Sequence, residues 1–166
     1  RIVADTYPDK IRRTEVFANI DIIVQALTIL SQVFLTGQIA SKLGVRVLLT
    51  MVPVAMIAGF LCLAAFNVLS VIAATFVLRR WGEYAFIRPG REMLFGRLAT
   101  EAKYKAKNFI DVPVYRAADF VGAQAKTAIE AAGITAAGAA IIGAGLAVVW
   151  GINGWMLGRR YDSEAR

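Results

Sequence analysis

Two stretches of this chain run without a charged residue for far longer than a water-soluble fold tolerates. From Ile22 to Ser41 no Asp, Glu, Lys or Arg occurs, and from Val47 to Leu78 the same holds for thirty-two residues. A helix rises ~1.5 Å per residue, so about twenty apolar residues cross the ~30 Å hydrocarbon core of a bilayer. The second stretch would make a helix of ~48 Å, too long for one crossing without strong tilt. It is therefore divided at Phe66-Asn67. Composition agrees. Hydrophobic residues make up 58% of the chain and the mean hydropathy is +0.58. Soluble domains are about 45–50% apolar, so too little polar residue remains here to cover a water-facing surface.

The chain is therefore expected to be an all-α integral membrane protein. Residues 1–166 form a single membrane domain of about five transmembrane helices, near 14–38, 46–66, 69–88, 108–130 and 135–157. Thr14 is the candidate N-cap of the first. Residues 37–46 read as a short loop. Pro53 is expected to kink the second span. Gly133 separates the last two, and Gly154 and Gly158 form a GxxxG pair suited to close helix packing. The start, Arg1-Ile2-Val3-Ala4-Asp5, lacks Met and is no signal peptide. It reads as the continuation of a longer chain, whose N-terminal half is then an expected partner.

The net charge of +7 could indicate nucleic acid. Here the basic residues flank apolar runs, so membrane topology and lipid headgroups account for them instead. No histidine is present, which removes His-based metal sites and His-dependent triads. No GxxxxGK[ST] loop occurs. Cys62 is alone, so no disulfide forms within the chain, and it reads as a small buried hydrophobe. Neither an enzyme, nor a metal, nor a cofactor is expected. One side of the bundle carries Lys42, Arg46, Arg91, Arg97, Lys103, Lys105, Lys107, Arg159, Arg160 and Arg166. The other carries Arg1, Lys10, Arg12 and Arg13. By the positive-inside rule the C-terminus is expected to be cytoplasmic.

Ionisable residues inside membrane spans are costly unless they face water or a bundle interior. The third span and its end hold Arg79, Arg80, Glu83, Arg88 and Arg91. Arg80, Glu83, Tyr84, Ile87 and Arg91 share one helical face, and the spacing permits an Arg80–Glu83 pair. The plainer alternative is snorkelling toward headgroups. In the fourth span Asp111, Tyr115, Asp119, Gly122, Lys126 and Glu130 fall in one stripe, with Arg116 at its border. A polar stripe of this length suits an aqueous pathway. Its alternatives are a helix lying on the membrane surface and a salt-bridge set that only supports packing.

Two segments carry a family resemblance. Gly37-Gln38-Ile39-Ala40-Ser41-Lys42-Leu43-Gly44-Val45-Arg46 resembles the G-x-x-x-D-R-x-G-x-R loop of the major facilitator superfamily. Gly37, Gly44 and Arg46 match, Lys42 stands for Arg, and Ser41 replaces the Asp. Arg91-Glu92-Met93, followed by Lys103-Tyr104-Lys105-Ala106-Lys107-Asn108-Phe109-Ile110-Asp111-Val112, resembles the ATP:ADP antiporters of plastids and obligate intracellular bacteria. Tyr7-Pro8-Asp9 is similar to that family's loop between helices seven and eight. The resemblance implies the C-terminal half of a major facilitator fold, helices eight to twelve of twelve. It implies Gly37, Lys42, Gly44 and Arg46 in a cytoplasmic gating loop, and a bacterial inner-membrane carrier that binds and exchanges ATP, ADP or related phosphorylated metabolites. Such anions need several cations, since desolvating multiple negative charges is prohibitive otherwise. Arg79, Arg80, Arg88, Arg91, Arg116 and Lys126 are available. The alternatives are a carrier of a small non-nucleotide solute, proton-coupled through Asp111, Asp119 or Glu130, and a membrane packing or regulatory module that transports nothing.

Overall fold

A computed structural model describes residues 10–66, 68–96 and 98–163, with side chains from Glu15 onward except Val16 and Phe17. The described residues form five helical rods and no strand. Rod α1 covers 10–43, as Lys10–Ser31, a π-helical turn at Gln32–Thr36, and Gly37–Leu43. Rod α2 is Val45–Ala65. Rod α3 covers 69–95, as Leu69–Gly82, a π turn at Glu83–Ile87, and Arg88–Phe95. Rod α4 covers 100–131, as Thr100–Phe109, a π turn at Ile110–Val114, and Tyr115–Ala131. Rod α5 is Ala136–Ser163.

Three stretches, Ala18–Leu43, Val45–Ala65 and Ala136–Ser163, are long and apolar enough to cross a membrane. Five such spans were expected. Rods α3 and α4 have the length, but Arg79, Arg80, Glu83 and Arg88 interrupt the first, and Asp111, Arg116, Asp119, Lys126 and Glu130 the second. Those charges need water or partners to enter a bilayer.

The core is built around α2. Val45, Leu48, Leu49, Val52, Pro53 and Met56 are all buried on it. Against this face α5 lays Ala140, Ala144, Ala147, Gly151, Gly154 and Gly158. Their steps of four and three keep them on one stripe. With no side chain between them the backbones nearly touch. A Cβ at Gly154 would stand 2.9 Å from the Leu49 carbonyl oxygen, and one at Gly158 would overlap the Cα of Arg46. Residue numbers rise on α5 as they fall on α2, from Gly143 beside Phe60 to Gly158 beside Arg46, so the two are antiparallel. The Gly154–Gly158 pair thus does the packing expected of it. On the other flank of α2, Gly82 meets Val52 and Gly90 meets Leu49. Phe86 and Ala85 of α3 enter the same core, and Trp81 meets Phe86 edge to face at 5.4 Å.

The segment 37–46 is not a loop. The helix continues to Leu43, and the break is at Gly44, whose φ of 88° belongs to the left-handed region that favours glycine. The first helix is already formed at Lys10, ahead of the Thr14 expected to cap it, and Thr14's side chain lies outside the described residues. Helix α2 ends at Ala65 and α3 starts at Leu69, with Asn67, the expected turn residue, also outside the described residues. Pro53 lies within uninterrupted α-helix and is fully buried. Cys62 is exposed rather than buried, in a groove between α2 and α3 with Gly59, Ser70 and Thr75.

Candidate functional site

The site begins with Pro89. A proline has no N–H, so the carbonyl four residues earlier, that of Ala85, loses its helical donor. The chain widens into the π turn at Glu83–Ile87, and the Arg88 N–H goes to the Glu83 carbonyl. The carbonyls of Tyr84 and Ala85 are left over. Buried carbonyls without donors are expensive. Here α1 supplies the donors: Gln32 Nε2 donates to Tyr84 at 3.0 Å and Thr36 Oγ1 to Ala85 at 2.8 Å. Both donors come from the π turn of α1, so the two irregular turns are bound to each other. Trp81 Nε1 adds a bond to Ser31 Oγ at 2.9 Å.

This docking leaves a cleft between α1 and α3. It is lined by Asp21, Val24, Gln25, Thr28, Ile29, Arg80 and Tyr84, with a volume of about 320 Å³. At its centre Arg80 Nη1 donates to Asp21 Oδ1 in an ion pair of half-buried partners. The guanidinium also lies 5.6 Å from the centre of the Phe76 ring, with Arg79 at 5.9 Å from the same ring. Thr28 spends its hydroxyl proton on the Val24 carbonyl at 2.7 Å. The expected Arg80–Glu83 pair is replaced. Arg80 reaches across to α1, while Glu83 approaches Arg88 at 3.9 Å, and Arg88 stacks over Tyr84 at 4.3 Å.

A second cluster ties α3 to α4. Arg91 Nη2 lies 3.4 Å from Asp111, its Nη1 donates to the Tyr115 hydroxyl at 2.6 Å, and its Nε is buried with no acceptor among the described residues. Lys107 donates to both oxygens of Glu92, at 2.8 and 3.0 Å. That bond, with the Lys107, Arg91 and Lys103 charges behind it, holds the Glu92 carboxyl below its ordinary value of 4.5 against the opposing effect of burial. Pro113 lies inside the π turn that carries Asp111.

The stripe on α4 is divided. Asp111 and Tyr115 join the Arg91 cluster. Arg116, Asp119, Gly122, Lys126 and Glu130 project from Tyr115–Ala131, on which no residue is buried. Among the described residues no ion pair involves these four charges. The structure thus brings Arg80 to Asp21 and Arg91 to Asp111, and leaves Arg79, Arg116, Asp119, Lys126 and Glu130 without a charged partner among those residues.

The segment 37–46 meets the far end of the chain. Asp162 accepts from the N–H groups of Val45 at 3.1 Å and Arg46 at 3.2 Å, capping α2. Lys42 lies in the last turn of α1, and Gly37 has open space around its Cα. Asp162 thus brings a carboxylate to this corner from α5.

Asp21 and Gln25 stand out in the sequence as polar residues within the first span, but neither they nor Asp162 were among the site residues expected from it. For Asp21 a signal existed, since an acid just ahead of a charge-free span needs a partner. Asp162 had none, because its partners are backbone groups more than a hundred residues away. Comparison of the chain with protein-family models, curated proteins and solved structures gives no match.

Proposed function

We propose that this chain is part of a membrane carrier for anionic solutes, with the α1–α3 cleft as its substrate site. The observation that carries the reading is the Arg80–Asp21 pair, which sets a guanidinium in a cleft walled by a membrane-length helix. A charge packed against an apolar span is costly to desolvate, and binding an oxyanion is a function that justifies it. The π turns support the same reading, since such turns recur at functional sites. The phosphorylated metabolites implied by the antiporter resemblance suit this chemistry, as does a major facilitator arrangement in which all five rods cross the membrane and the C-terminus faces the cytoplasm. On that arrangement Arg116, Asp119, Lys126 and Glu130 form a second wall of the pathway.

A smaller solute is the second reading, and the cleft volume favours it: about 320 Å³ is at the small end of the ~300–1,000 Å³ usual for ligand pockets. Uptake of radiolabelled ATP and of radiolabelled inorganic phosphate, normalised to membrane-inserted protein, tests both. Saturable uptake that is abolished by Arg80→Gln is the expected result. ATP uptake that ADP suppresses selects the nucleotide reading, and phosphate uptake alone selects the smaller anion. Absence of both, with inserted protein present, refutes the anion carrier.

A further inference from the structure

We propose that Asp21 is a built-in stand-in for substrate: its carboxylate occupies Arg80 while the cleft is empty and is displaced by an incoming oxyanion. The inference rests on the anion-site reading above and adds the regulation of that site. Two observations support it. The pair lines the cleft rather than closed core, and both side chains are partly exposed there. The partners also belong to different rods, α1 and α3, which are held together independently by the Gln32, Thr36 and Trp81 bonds. Opening the contact therefore frees two side chains and breaks neither a helix nor the docking of the rods.

The physical logic is charge balance. A lone guanidinium against an apolar membrane-length helix is unfavourable. An empty anion site must therefore be neutralised from within, or remain occupied. Asp21 meets this need as a carboxylate on the facing wall. A phosphate-type oxyanion offers more negative charge and more acceptor oxygens, so it can replace the carboxylate at Arg80. Gln25 and Tyr84 on the cleft walls then face the same ligand. The ligand class is a multivalent oxyanion, whether free phosphate or the phosphate tail of a larger metabolite.

The test is thermal stability and binding of the complete protein in detergent, with inorganic phosphate and ATP as separate probes. Asp21→Asn removes the internal competitor and leaves Arg80 uncompensated. It is expected to bind at least one probe about tenfold tighter than wild type, and its melting temperature is expected to recover when that probe is added. Asp21→Glu restores wild-type behaviour. Arg80→Gln, and the Asp21→Asn/Arg80→Gln double, show no response to either probe. Glu15→Gln, which removes a carboxylate earlier on α1, leaves the affinity unchanged. If Asp21→Asn binds no tighter than wild type, or Glu15→Gln tightens binding equally, the proposal is overturned. Asp21→Asn that folds only when purified with phosphate supports it, and a variant that folds in neither condition overturns it. Failure of the carrier reading is distinct, for it appears as absent uptake by a wild type that still binds the anion.

Discussion

Asp162 shows how far a single carboxylate can reach in this fold. It satisfies the first donors of α2 from the end of α5, beside the one turn that Gly44 makes possible. Asp162→Ala is expected to cost ~0.5–2 kcal/mol, the usual value of a helix N-cap, read as a lower midpoint in thermal unfolding. Gly44→Ala should be at least as harmful. Its Cβ would stand 2.5 Å from Asp162 Oδ2, on a φ of 88°. Glu92 predicts a pH effect. Its folded carboxyl titrates below the ordinary value of 4.5, so its bond to Lys107 stabilises fully above that value and is lost as pH falls through the folded one. Hydrogen-exchange protection of 100–109 should therefore fall in acid below about pH 4.5, and Glu92→Gln should flatten that dependence. The charges on α3 were legible as residues needing partners, but the partners were not. Helical spacing offers Glu83 to Arg80, whereas the pair that forms crosses to α1, and periodicity within one helix carries no information about the neighbouring one.

At the scale of the element, prolines and glycines set the shape. Pro89 frees the Ala85 carbonyl and Thr36 answers it. Thr36→Val keeps the volume but removes the donor, and should cost ~1–3 kcal/mol for the buried unsatisfied carbonyl. Pro89→Ala returns an N–H to that carbonyl. The loss in the double variant should therefore be well below the sum of the two single losses, and a double-mutant cycle of unfolding midpoints measures this. On α5 the stripe predicts opposite outcomes at neighbouring glycines. Gly154→Val forces the rods apart and should cost ~1–3 kcal/mol or more. A Cβ at Gly145 would meet nothing within 4 Å beyond its own helix backbone, so Gly145→Ala should be neutral or gain up to ~1 kcal/mol. The GxxxG contact was legible because small residues at that spacing admit a backbone. The π turns were not. The proline at 89 was visible, but the donors that stabilise a widened turn come from another helix.

For the whole molecule, the packed part is α1, α2, α3 and α5, while 115–131 of α4 remains exposed. Apolar runs made α1, α2 and α5 legible, since length and hydropathy alone specify them. Rods α3 and α4 depend on what neutralises their charges, which no local pattern records. If α4 lines an aqueous path, cysteines at Asp119 and Lys126 should react with a membrane-impermeant maleimide in intact membranes, on a Cys62→Ser background. Cysteines at Phe120 and Val121, on the other face, should be protected. Uniform labelling of all four would place the helix in water, and uniform protection would bury it.

The bond from Asp162 to the start of α2 also sets a schedule for biosynthesis. Val45 and its capping carboxylate are 117 residues apart in the chain. A ribosome adding ~5–20 residues per second needs roughly 6–25 s to cover that distance. For that interval the newborn α2 is already made while its first amides wait for a partner not yet synthesised. They must bond to water meanwhile. The junction at Gly44 therefore closes only after α5 is made, and a nascent chain stalled before Asp162 would hold α2 and most of α5 without the clasp that joins them.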